Sequence, residues 1–165
     1  MIFIDGSNLY HSLKRYKIKT NLENIIKKLE TKREIIGIFY YTAMMDKKFD
    51  EKRYNDHKNF LDKIKKIPNF NVVLCNLRKT RLDDGSYRFE IKGDDVHLAT
   101  DLIKGSYENL YDIAIIVTGD EDFIPAIKLV QKNGKKVVNA FFPKSSSYLL
   151  RNRCNGSINL KKALM

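Results

Sequence analysis

Two stretches of this chain are apolar without a polar break, and each runs into an aspartate: "MIFID" at 1–5 and "DIAIIVTGDED" at 112–122. A strand with one wet face alternates polar and apolar residues. A short unbroken run of β-branched residues instead belongs in a strand covered on both faces. "EIIGIFYYTA" (34–43), "FNVVLC" (70–75) and "KKVVNAFF" (135–142) read the same way. Between these runs lie amphipathic stretches. Leu22, Ile25, Ile26 and Leu29 have helical spacing; residues 49–66 carry Phe60, Leu61 and Ile64 and stop before Pro68. Further helices are expected at about 94–104 and about 123–133, the latter closed by Asn133-Gly134, with a short helix and a last strand near 157–160. Strands alternating with helices predict an α/β fold, a three-layer α/β/α sandwich around a mostly parallel sheet. "LRKTRLDDGSYRFEI" (77–91), with Asp84-Gly85 between alternating residues, predicts a hairpin. No repeat, linker or low-complexity tail interrupts the pattern, so one domain over 1–165 is expected.

In sheets of this kind sites form at the carboxyl ends of the strands. Two strands ending on acids would bring Asp5 and Asp120 together if they are neighbours. Asp122 stands two residues further on, where Pro125 in the first turn of the next helix suits it as an N-cap. A third acid comes from "KGDDVHLATDLI" (92–103). On a helical wheel of about 100° per residue, Leu98, Ala99, Leu102 and Ile103 centre about 20° from Asp95. A lone carboxylate on an apolar face needs a partner or a cation. Asp94 falls on a polar flank, where helix-dipole compensation explains it. Asp101 shares that flank as a supporting acid.

Asp5, Asp95, Asp120 and Asp122 thus form one candidate catalytic and metal-binding group, with Thr118 beside it. Carboxylates crowded together repel unless protonated or neutralised, and Mg²⁺ or Mn²⁺ suits an all-oxygen donor set. His11, His57 and His97 lie on different elements and form no triad, and Cys75 and Cys154 make no C-x-x-C, which argues against zinc. The formal net charge of +11 favours a polyanionic partner. No apolar run approaches the roughly 20 residues of a membrane span, and the opening is unlike a secretory leader, so a cytoplasmic protein without a membrane partner is expected.

"FIDGSN", "KGDDVHLATDLI" and "VTGDEDFIPAIKLVQKNGKKV" together resemble the NYN domain family, the LabA-like branch of the PIN-like metal-dependent nucleases. The resemblance runs in order over nearly the whole chain. It implies a PIN-like sandwich and an endoribonuclease that cuts single-stranded RNA with Mg²⁺ or Mn²⁺. Asp5 and Asn8 match the family's D-x-x-N element, in which the acid binds metal and the asparagine orders the site. Asp95 matches the acid of the K-G-x-D helix, with Lys92 in its basic position, and Asp101 matches the later helix acid. Asp120 and Asp122 match the G-D-x-D element. The ending "LRNRCNGSINL" departs from the family pattern, which often carries an acid near Asn155.

For RNA, the hairpin offers Arg78, Lys79, Arg81 and Arg88, interleaved with Tyr87 and Phe89 and leading into Lys92. Cations hold phosphates while aromatic rings stack on unpaired bases. The two rings equally suit ordinary strand packing. "PKSSSYLLRNR" (143–153) adds Ser145–Ser147 and Arg151 as phosphate contacts, whereas the lysines at 47–66 and 132–136 read as solvated surface. Two other readings remain open: a non-catalytic RNA-binding module with a vestigial acidic pocket, and a DNA-directed, Toprim-like nuclease, since Asp120-x-Asp122 follows a strand. The sequence also admits a homodimer and a regulatory protein partner.

Overall fold

Period-two alternation assigns each strand residue to one of two helical layers. The computed structural model describes residues 1–30 and 33–165. Six strands form the main sheet: β1 (Ile2–Asp5), β2 (Ile38–Thr42), β3 (Phe70–Leu74), β6 (Ile113–Val117), β7 (Lys136–Phe141) and β8 (Gly156–Asn159). Their order is β3-β2-β1-β6-β7-β8, and every pairing is parallel. The hairpin strands β4 (Asn76–Arg81) and β5 (Tyr87–Lys92) pair only with each other, outside that sheet.

Ile2 and Ile4 of β1, with Ile115 and Val117 of β6, face one layer. There they meet Leu9 of α1 (Gly6–Tyr16), Ile25, Ile26 and Leu29 of α2 (Leu22–Leu29), Leu61 and Ile64 of α3 (Glu51–Ile64), and Leu160 of α7 (Leu160–Leu164). Phe3, Ala114 and Ile116 point the other way. They pack on Leu98 and Leu102 of α4 (Asp94–Tyr107), Ile127 and Val130 of α5 (Ile124–Lys132), and Leu150 of α6 (Tyr148–Arg153). This is the expected three-layer α/β/α sandwich.

Some boundaries differ from expectation. The run 34–43 is a strand only over Ile38–Thr42, and α1 and α7 are helices that the sequence patterns above do not mark. A single 3₁₀ turn at Glu121–Phe123 precedes α5, so Asp122 does not cap that helix. Asp120 caps the turn instead, accepting from the Asp122 N–H. Another 3₁₀ turn occupies Pro143–Ser145. Among the described residues no helix is long and apolar enough to cross a membrane.

The chain runs outward from β1 to β2 and β3, then returns to β6 on the other side of β1. The connections therefore diverge between β1 and β6. Such a switch point leaves a crevice outside the carboxyl ends of the two strands, where doubly wound sheets bind ligands.

Candidate functional site: an acidic cleft at the switch point

Asp5 ends β1 and begins α1 with no intervening loop. Its Oδ1 accepts from the Asn8 N–H at 2.9 Å and so caps the helix. Such an abrupt change of direction leaves no space beside Gly6, where a Cβ would sit 2.6 Å from the Tyr41 carbonyl oxygen and 2.7 Å from the Tyr40 ring. The second Asp5 oxygen, Oδ2, accepts from the Thr118 hydroxyl at 3.0 Å. Thr118 Oγ1 in turn accepts from the Asp120 N–H at 3.2 Å. Behind Thr118, Asn139 of β7 is fully buried, and its amide donates to the carbonyls of Thr118 and Ile116 at 2.9 and 3.3 Å. One hydroxyl thus joins the ends of β1 and β6, and one amide from β7 holds that hydroxyl's backbone.

These residues open into a cleft of about 780 Å³. Its acids are Asp5, Asp94, Asp95 and Asp120, supplied by β1, the first turn of α4 and the loop after β6. Facing them along α1 are Asn8, His11, Ser12, Lys14 and Arg15, and Ser145 lies on the rim.

Asp5 and Asp95 hold their protons more tightly than isolated carboxyls. Burial raises Asp5, opposed by its hydrogen bonds from Asn8 and Thr118, with the charges of Asp94 and Asp120 adding to the rise. Asp95 is pushed up to about 6, first by partial desolvation and then by Asp94, Asp5, Asp120 and Asp122. Asp95 is nonetheless exposed by area. Its shift is that of a cleft-mouth carboxyl facing like charges, and solvent screens it partly.

Of the candidates from sequence, Asp5, Asn8, Asp95 and Asp120 line the cleft and Thr118 lies directly beneath it. Asp122 is exposed on the 3₁₀ turn, outside the lining, although its charge is felt at Asp95. Asp101 sits deeper along α4 and accepts from the Tyr41 hydroxyl at 2.9 Å, also outside the lining. Asp94, read from sequence as a dipole residue, lines the cleft and is the less exposed of the adjacent pair. The wheel placed Asp95 in the middle of the apolar face, but that face starts only at Leu98. Val96 is 69% exposed, so the first turn of α4 extends beyond the packed layer.

Lys14, Arg15 and Ser12 carry no motif, and their place in the cleft follows only from the strand-to-helix junction at Asp5. The hairpin cations do not line the cleft. Lys79 lies over the rings of Phe49 and Tyr87, about 4 Å from each centroid, and Phe89 packs edge-on against Phe49. Arg88 and Lys92 both pair with Glu90, each at 3.0 Å. Arg78 and Arg81 are exposed. Arg151 stacks over Phe141 and donates to the Ser146 carbonyl at 2.9 Å, bracing the 143–147 segment from outside the cleft. Asn155 lies at the amino ends of β7 and β8, the opposite edge of the sheet from the cleft. Its side chain accepts from the Val137 N–H at 2.9 Å. An acid at that position would not reach these carboxylates.

No group of three carboxylate, imidazole or thiol side chains among the described residues is arranged to hold a metal ion by itself. The four carboxylates gathered on one side of the cleft nevertheless offer anionic oxygen donors. A hard cation that keeps several waters and takes only one or two carboxylates directly fits such a set.

A doubly wound sheet with an acidic cleft at its switch point is the architecture of this chain, and it agrees with the nuclease-like, PIN-like fold of the NYN domain family. The chain belongs to the NYN domain family, whose model matches residues 1–161. Among solved structures, a protein of unknown function from Vibrio parahaemolyticus is similar in fold, with a TM-score of 0.73 and 21% identity over 99% of this chain and 93% of that one. No curated protein matches the chain.

Proposed function

We propose that this chain is a metal-dependent endoribonuclease, one NYN unit over 1–165, that cuts single-stranded RNA with Mg²⁺ or Mn²⁺. The observation carrying this reading is that Asp5, Asp94, Asp95 and Asp120 come from three elements into one cleft, where burial and neighbouring negative charge raise the proton affinity of Asp5 and Asp95. Asp120 and Asp95 would hold the cation, with Asp94 and Asp5 close behind. A bound divalent ion activates water and stabilises the charge that builds on phosphorus. Thr118 and Asn8 fix the orientation of Asp5, and Asp122 orients Asp120 through its N–H. Lys14 and Arg15 offset the acids' repulsion of a phosphate chain entering from the α1 side. In this reading the protein acts in the cytoplasm, and selectivity beyond single strandedness comes from this unit or a protein partner.

The test is cleavage of a mixed-sequence single-stranded RNA, with matched DNA, in EDTA, Mg²⁺ and Mn²⁺, by wild type, Asp120→Asn and Asp94→Asn. The reading expects RNA cut only with metal, and losses of at least about a hundredfold in both variants with their folds retained. Cutting that survives Asp120→Asn would refute the site. The second reading is a non-catalytic RNA-binding module, which needs no ion on the cleft acids. RNA bound but never cut would select it.

A further inference from the structure

The α1 wall of the cleft carries chemistry that the acids do not use. Asn8, Ser12 and Arg15 follow the four- and three-residue steps that stack side chains on one helix face. Ser12 lines the cleft and is 1% exposed, yet its Oγ has no hydrogen-bond partner. A helical serine usually donates to the carbonyl one turn back when no other partner is present. A buried hydroxyl without a partner costs about 1–3 kcal/mol, so its persistence in a cleft wall marks a donor left for a ligand.

Lys14 and Arg15 lie beyond it, both exposed at the cleft. Lys14 forms no ion pair among the described residues. Arg15 spends one N–H on the Lys144 carbonyl at 2.6 Å, which fixes the guanidinium and leaves its other donors available. The Tyr16 hydroxyl accepts from the Lys144 N–H at 2.7 Å, securing the same junction. At 1.5 Å of rise per residue, Arg15 stands roughly 10 Å along the helix from Asn8. That is too far to serve a phosphate at the acids and well placed for a neighbouring one.

We propose that Ser12, Lys14 and Arg15 form a phosphate subsite that holds RNA beyond the scissile position. The inference rests on the ribonuclease reading for the identity of the ligand. It implies that RNA runs along α1, rather than first along the hairpin, where Arg88 and Lys92 are tied to Glu90.

The experiment is fluorescence anisotropy with an end-labelled, mixed-sequence single-stranded RNA 12-mer in EDTA, so that nothing is cut, across about 50–200 mM salt. Lys14→Ala and Arg15→Ala should each reduce the slope of log Kd against log salt by about 0.7, and the double variant by about 1.4. Ser12→Ala should weaken binding about three- to tenfold with the slope unchanged, and should not lower Tm, because its hydroxyl has no partner to lose. An unchanged slope in the double variant, or no salt-dependent binding by wild type, overturns the subsite. Unchanged affinity in Ser12→Ala removes the serine from it. Failure of the ribonuclease reading looks different: RNA would bind with the expected slope losses and never be cut with Mn²⁺.

Discussion

Replacing Gly119 with alanine should displace the segment that rims the cleft. A Cβ at 119 would lie 1.6 Å from the Ser145 carbonyl oxygen, 2.6 Å from its carbon and 2.8 Å from the Ser146 Cα. All three are backbone atoms, so no side-chain rotation relieves the clash. Ordinary contact begins at about 3.5 Å, so the segment must retreat by about 2 Å. That retreat breaks the Ser147 N–H bond to the Gly119 carbonyl and pulls Ser147 Oγ from Glu121. Overpacking of this kind costs about 1–3 kcal/mol and the lost hydrogen bond about 1 more. A total near 3 kcal/mol lowers Tm by about 6–12 °C in a chain of this size. Gly156→Ala is the control, because its Cβ would meet only Val138 Cγ2, at 3.9 Å. Thermal melts of both variants, alongside RNA cleavage, read the effect. If Gly119→Ala melts within about 2 °C of wild type, and so matches Gly156→Ala, the packing argument for the 143–147 rim is wrong.

Two further outcomes follow from the site's electrostatics. Thr118→Val keeps the shape but leaves the buried Asp5 Oδ2 without its donor and the Asp120 N–H without its acceptor. It should cost about 1–3 kcal/mol, read as a lower Tm, and should shift half-maximal cleavage to higher pH; no change in either would show that the hydroxyl is incidental. Asp95 titrates near 6 when folded, against about 3.9 unfolded. Between these values the folded chain keeps a proton that the unfolded chain has released, so stability in EDTA falls as pH rises from about 4 to 6. The shift allows at most about 3 kcal/mol, and the exposure of Asp95 reduces that to about 1, or a few degrees of Tm. Excess Mn²⁺ should reverse the slope, and Asp95→Asn should flatten it. A melt in EDTA that is flat in wild type over this window would contradict the crowding of the acids.

The strands ending on Asp5 and Asp120 are readable in the sequence because a doubly covered strand must be apolar throughout, so its first acid stands out. That they converge depends on β1 pairing with β6, a contact more than a hundred residues apart that no local pattern encodes. The hairpin is readable from Asp84-Gly85, but not its separation from the sheet. That Asp94 lines the cleft together with Asp95 is not readable from a wheel, which treats a helix as evenly covered, whereas the first turn of α4 overhangs the sheet. The cap on Asp120 was missed because one extra 3₁₀ turn shifts the helix start by two residues. Lys14, Arg15 and Ser12 escaped notice because a short helix after a strand-end acid reads as a cap and nothing more.

The central claim is that the switch-point carboxylates share a divalent cation. Its most direct test is calorimetric titration of Mn²⁺ into wild type and Asp120→Asn at pH 6, in two buffers of different ionisation enthalpy. The account predicts saturable binding by wild type with net proton release, because Asp95 is about half protonated at that pH, and binding at least about tenfold weaker in Asp120→Asn. Equal binding by both proteins, or binding that releases no proton, would contradict it.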